Sequence, residues 1–202
     1  QLINSSNAPT QARVRFFDDS GNPLSVPFAV AGTTQTADSV DLVLLPYATM
    51  TVRSLAADDP NLLSGSAQFT SDSPVNGFVR FRYEPTGQEM VTPWETRKTT
   101  SYFLAFDNRD GLATGVALAN VSTSDGHISA LIRSATGTIL GVENVTLPAQ
   151  GHRAFVLSQQ MPVTVGQSGS VEFITPTGGQ ISVLGVRFQA SGDYSTIPGI
   201  TP

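Results

Sequence analysis

The chain has 202 residues, a formal net charge of −5 and 40% hydrophobic residues, an ordinary globular composition with room for two cores. Its eleven cations are all arginine except Lys98 and, apart from the adjacent Arg97-Lys98, stand singly, so the basic stripe of a nucleic-acid binder is missing. Cysteine is absent, which excludes disulfides, thiol catalysis and Cys-ligated zinc, and no apolar run approaches the roughly twenty residues of a membrane helix.

The start, Gln1-Leu2-Ile3-Asn4, carries neither an initiator Met nor a basic-then-apolar signal and reads as a processed or excised end. Ala12-Arg13-Val14-Arg15-Phe16 alternates with period two, which predicts a half-buried strand with its arginines outward. Asp18-Asp19-Ser20-Gly21-Asn22-Pro23 predicts a hairpin turn with Gly21 at the positive-φ position. Val43-Leu44-Leu45-Pro46 reads as a strand that exits at its proline. Thr49–Arg53 and Phe78–Arg82 again alternate. Val52–Leu63, the best candidate for a helix, contains Asp58-Asp59-Pro60 and reads as a loop or a single turn. Glu84-Pro85-Thr86-Gly87 closes this first unit. Pro93–Thr100 is a short polar connector, and Trp94 is expected at the seam it spans.

After the connector the pattern is written again. Leu2-Ile3-Asn4-Ser5-Ser6, Ala12, Val14, Phe16, Gly21 and Leu24 recur without a gap as Leu118-Ala119-Asn120-Val121-Ser122, Ile128, Ala130, Ile132, Gly137 and Leu140. Val43–Pro46 is answered by Val145-Thr146-Leu147-Pro148, and Gly65-Ser66-Ala67-Gln68-Phe69 by Gly169-Ser170-Val171-Glu172-Phe173. Short strands at regular spacing, bounded by Gly, Pro, Asn and Ser, imply an all-β fold. The expectation is two tandem antiparallel β-sandwich domains related by internal duplication, residues 1–97 and 98–202. The second copy opens with Ser101-Tyr102-Phe103-Leu104-Ala105-Phe106 ahead of Leu118, whereas Gln1 already lines up with Ala117. Domain 1–97 therefore reads as lacking its first strand, and Leu2, Val14 and Phe16 are expected at an exposed apolar edge. Two explanations are open: the chain is a fragment whose first strand has been cut away, or a strand from a neighbouring subunit fills the gap.

The second copy also carries Thr114-Gly115-Val116-Ala117-Leu118-Ala119-Asn120, Leu147-Pro148-Ala149-Gln150-Gly151-His152 and Val183-Leu184-Gly185-Val186-Arg187-Phe188 through Ile197-Pro198. These segments resemble a tandem Ig-like β-sandwich repeat of large secreted proteins of environmental bacteria, acidobacteria above all. The resemblance spans nearly the whole chain twice. It implies export and a structural or binding role, and it brings no catalytic motif.

Candidate sites are few. His127 and His152 are the only histidines, and each reads as a surface residue at a loop-to-strand edge. Asp107-Asn108-Arg109-Asp110-Gly111 gathers oxygen ligands in a tight turn, so Asp107 and Asp110 are weak calcium candidates. The turn lacks EF-hand spacing, and Asx-turn chemistry explains it. The glutamates are isolated, with no opposed carboxylate pair, nucleophile elbow or phosphate loop, so no enzyme and no cofactor is expected. Phe17, Tyr83 and Tyr102 are the candidate exposed aromatic platforms. With Lys98 the only lysine, Lys–Asn isopeptide locking is not expected. The sequons at Asn4, Asn120 and Asn144 carry no weight at this Ser/Thr content.

These readings point to a non-enzymatic extracellular or cell-surface module with a structural or adhesive role. Its expected partners are the chain itself, as a fibre joined by inter-subunit strand exchange, or domains of a parent chain. The tail Thr196–Pro202 is the conceivable strand donor. The alternative is a carbohydrate-binding accessory module of a secreted hydrolase, with an extracellular or cell-surface polysaccharide as ligand. Neither reading involves nucleic acid or membrane insertion.

Overall fold

The computed structural model describes residues 1–55, 63–97 and 99–202. It is all-β, 59% strand and 4% helix, built from several antiparallel sheets in a manner consistent with a β-sandwich. Lys98 and the Asp58-Asp59-Pro60 loop lie outside the described residues.

In the first half, β2 (Thr10–Asp18) is the middle of a sheet, between β5 (Ser39–Leu44) and β8 (Gly65–Ser71). The alternation puts Thr10, Ala12 and Val14 inside and Gln11, Arg13 and Arg15 outside, as a strand with one wet face requires. A second sheet runs in the order β10 (Gln88–Pro93), β9 (Val75–Tyr83), β1 (Leu2–Asn4), β6 (Thr49–Met50). Between them lies a core that includes Leu2, Val14, Phe28, Leu42, Leu44 and Val75. A third, small sheet places β3 (Val26–Val30) between β4 (Thr33–Ala37) and β7 (Val52–Ser54). The β3–β4 hairpin turns on Ala31 and Gly32, with φ of 48° and 82°, both in the left-handed region a two-residue turn demands. Thr49–Arg53, expected as one strand, is divided between β6 and β7, which pair in different sheets.

The second half carries β11 (Ser101–Asp107), β12 (Ala113–Asn120), β13 (Gly126–Ser134), β14 (Ile139–Leu147), β15 (His152–Val156), one helical turn α1 (Leu157–Gln160), β16 (Ser168–Ile174), β17 (Ile181–Phe188) and β18 (Tyr194–Pro198). Its two sheets run β11-β16-β13-β14 and β15-β12-β17-β18. They enclose a core that includes Tyr102, Leu104, Ile128, Leu118, Phe173 and Val183, closed at one side by Leu157 and Met161.

The pairing relations run in parallel. β2 stands between β5 and β8, and β13 stands between β14 and β16. β1 stands between β6 and β9, and β12 between β15 and β17. The hairpin turns match as well. The Gly21 and Gly137 amides donate to Asp18 and Ser134 at 3.0 and 2.9 Å, with φ of 85° and 83°. The β3–β4 hairpin has no counterpart in the second half, where β14 begins directly after the turn at Gly137.

Expectations of exposure are corrected at four residues. Leu2 and Val14 are 2% and 3% exposed, and Phe16 is partly covered against Phe28 at a ring separation of 5.8 Å. They sit on strands flanked on both sides, so among the described residues the open edge lies one strand further out, along β8. Tyr102, expected as an exposed platform, is 0% exposed because β11 points it into the core opposite Phe173.

Candidate functional site

The site with the clearest chemistry is the outer edge of β8. In the second half β11 lies along β16 in register from Ser101↔Ile174 to Asp107↔Ser168, and Tyr102, Leu104 and Phe106 point inward. In the first half, among the described residues, β8 is paired with β2 alone. The inner face is correspondingly open. Ala67 is exposed, whereas Val171, its counterpart in the matched pentapeptides, is 0% exposed. Phe69 is only partly buried, whereas Phe173 is fully so. On the facing sheet Leu2 pairs with Gly77, which puts Gly77, Val79, Phe81 and Tyr83 on the core side of β9. Yet Phe81 and Tyr83 are 39% and 51% exposed.

β9 has an open flank too. β1 pairs only with Val75–Gly77, so Val79–Tyr83 have β10 on one side and no strand on the other among the described residues. In the second half that flank of β17 is taken by Ala113–Gly115 of β12.

Trp94 occupies part of the gap. It follows Pro93, which pairs with Phe78, and its amide donates to Gly77 O at 3.2 Å. Its indole packs on Phe69 with ring centroids 5.8 Å apart, and its Nε1 donates to Gln1 O at 3.1 Å. The residue at the same place in the second half, after Pro198, is Gly199, where an added Cβ would meet the Tyr102 ring at 3.2 Å. The second half thus combines a glycine with an inserted tyrosine, and the first half replaces both with one tryptophan. Trp94 was expected at the seam between the halves, and the structure instead gives it a place in the first core. Aligning Thr92-Pro93-Trp94 with Ile197-Pro198-Gly199 is the signal that would have exposed this exchange.

The other edge residues show the same contrast. Glu172 of β16 accepts from Ser101 Oγ at 3.1 Å and from Arg133 Nη1 at 2.8 Å. Its counterpart Gln68 has Phe17 in place of Arg133 on the adjoining strand, and among the described residues its buried Nε2 has no partner. Phe17 itself lies half-buried on this outer face.

Among the described residues the two halves meet at two places. At one, the Tyr194 hydroxyl donates to Gln88 O at 3.0 Å and Thr196 Oγ1 to Val91 O at 3.2 Å, so side chains of β18 engage the backbone of β10. Tyr83, Tyr194 and Phe188 form an aromatic group here, with centroids 6.5 and 6.4 Å apart. At the other, His152 Nδ1 lies 2.9 Å from Asp19 Oδ1, and the His152 amide donates to Asp19 O at 3.2 Å. His152, expected at the surface, has a side chain only 12% exposed because the Asp18–Asn22 turn covers it.

His127 is exposed on β13 beside a shallow groove of about 330 Å³ lined also by Asn144, Thr146 and Thr175. Asp107 is spoken for: both carboxylate oxygens accept from Arg109 at 2.9 Å, and these hydrogen bonds hold its pKa down to about 2. Asp110 sits next to it at φ 51°. Among the described residues no three His, Asp or Glu side chains gather where a metal could be held. In the connector, Arg97 donates to Glu95 at 3.0 and 2.6 Å and to Gly199 O at 2.9 Å, and its guanidinium stands 5.3 Å from the Tyr102 ring centre. The Tyr102 hydroxyl donates to Arg97 O at 3.1 Å, and its pKa is raised, by burial first and by the Glu95 charge second.

The tail, expected as a strand donor, is engaged within its own half. β18 pairs with β17, and Ile200 exchanges both backbone hydrogen bonds with Phe103 at 2.7 and 2.8 Å. No helix among the described residues is long and apolar enough to cross a membrane. Comparison with known protein families, curated proteins and solved structures finds no match.

Proposed function

We propose that this chain is a non-enzymatic structural or adhesive module of the extracellular space or cell surface. On this reading it consists of two Ig-like β-sandwich units, residues 1–97 and 98–202, that arose by duplication and join neighbouring subunits by strand exchange. The observation that carries the reading is the open edge of β8 opposite a partly exposed core face, at the place where β11 completes the second half. An unpaired edge beside exposed Ala67, Phe81 and Tyr83 is an aggregation hazard unless a strand covers it. The parallel pairing relations, the matched turns and the twin Asn4 and Asn120 networks support the duplication.

Electron microscopy of native material, with sedimentation of the 202-residue chain, tests the fibre. The expected result is filaments whose repeat equals one subunit. Dispersed particles in native material would reject strand exchange as an assembly principle.

A carbohydrate-binding role is the second reading, favoured by the exposed Tyr83 and Phe188 beside Tyr194. Stacking on sugar rings at this group predicts retention by insoluble polysaccharides that Tyr83→Ala with Phe188→Ala abolishes. Retention that survives both substitutions would discard this site.

A further inference from the structure

We infer that the β8 edge is a docking site for one extended strand carried by a neighbouring polypeptide and lying outside residues 1–202, with glycine or alanine facing Phe69 and two large apolar residues inward after it. The inference rests on the strand-exchange reading and adds the chemistry of the incoming strand.

The second half shows what such an edge accepts. Seven residues of β11 pair antiparallel with β16 and bury three apolar side chains on alternate positions. A strand laid on β8 in the same register meets Phe69 first, then Ala67, then Gly65. At Phe69 the space that Tyr102 fills in the second half is already taken by the Trp94 indole, so only a residue with little or no side chain fits. At Ala67 the opposite holds, and Gly65 matches Gly169, which faces Phe106 in the second half. Ala67 is smaller than Val171 and is exposed, which leaves room for an inward residue at least as large as Leu104. Alternation of inward and outward side chains then sets the incoming pattern as small, any, large apolar, any, large apolar. One residue earlier, a Ser, Thr or Asn placed like Ser101 would give Gln68 Nε2, which has no partner among the described residues, an acceptor.

A second copy of residues 1–202 is a poor source for this strand. Each described strand is already paired within its own half, and the tail is tied through Ile200 to Phe103. Donation would therefore open the donor's own sheets.

Trp94 is the only tryptophan, so its fluorescence reports directly on the site. The experiment titrates the whole chain with two synthetic seven-residue peptides, one with the sequence Ser101–Asp107 and the other with Tyr102→Gly in it. The expected result is a saturable blue shift of Trp94 with the Tyr102→Gly peptide, at an affinity at least tenfold above that of the unmodified one. Trp94→Gly in the chain, followed by calorimetry, should reverse that order. Ala67→Glu, at an exposed position where the fold tolerates it, should abolish binding of both peptides. Equal affinity of the two peptides for the unmodified chain overturns the proposal, and so does the absence of binding. A blue shift that grows with chain concentration without peptide would also overturn it, by making a second copy the occupant. Filaments in native material without peptide selectivity would sink the strand chemistry and spare the fibre. Selective peptide binding without filaments would do the reverse.

Discussion

At the scale of single residues, two buried asparagines show how polar groups earn a place in an apolar fold. Asn120 is 1% exposed, and its Nδ2 donates to Ser124 O and Pro148 O at 2.8 and 2.9 Å. Its Oδ1 accepts from the amide and hydroxyl of Ser122 at 3.0 and 2.8 Å. Asn4 makes the matching bonds with Ser6, Ala8 and the Leu44 and Leu45 carbonyls. Each amide ties the start of one strand to the exit of another, and both sequons are thereby closed to glycosylation. Asn120→Ala leaves buried carbonyls unpaired and should cost about 2–4 kcal/mol in urea unfolding. Tyr102 yields a pH prediction. Its folded pKa lies above the unfolded value of about 10, so its contribution is intact below that pH. As pH rises past about 10 the unfolded chain ionises first and stability falls. Tyr102→Phe should flatten that alkaline loss in thermal melts taken between pH 8 and 11. The Asp107 turn has its carboxylate committed to Arg109, so millimolar calcium should leave the melting temperature unchanged. A rise that Asp107→Ala with Asp110→Ala removes would restore the calcium reading.

At the scale of elements, β8 and β16 differ at their outer edges. The two strands pair alike with their inner neighbours, β2 and β13, and among the described residues only β16 has a strand outside it. Trp94 compensates by packing on Phe69 from the connector side. Trp94→Ala removes that cover from a core already open on one side. It should destabilise the first half by about 2–3 kcal/mol, less than the full cost of a buried tryptophan because the indole is only partly covered. Scanning calorimetry checks this, with a lowered transition for the first half and an unmoved one for the second. Loss of stability in both halves would mean that Trp94 acts across the seam.

At the scale of the whole molecule, the two halves are joined by polar contacts and one aromatic group, with separate apolar cores on either side. Asp19 and His152 form the longest-range of these contacts, and Ser64 Oγ adds a hydrogen bond to Asp19 Oδ1 at 3.1 Å. Pairs with one exposed partner contribute little, so a double-mutant cycle of Asp19→Ala and His152→Ala should give a coupling of about 0.5–1 kcal/mol. A coupling near zero would show the contact to be incidental to how the halves are joined.

The amino-acid sequence alone determined the class of fold and the two turns at Gly21 and Gly137. Those features are written in local alternation, in glycine at positive φ and in proline at strand exits. Tertiary structure decided everything that depends on which strand is the outermost. Leu2, Val14 and Phe16 alternate as edge residues would, yet they are interior because pairing on both sides is a long-range property. The β3–β4 hairpin was invisible because four of the five β4 residues are polar, so period-two alternation has nothing to mark. The role of Trp94 needed the structure too: a bulky side chain standing where its counterpart is glycine has meaning only once Tyr102 is seen to fill that glycine's space.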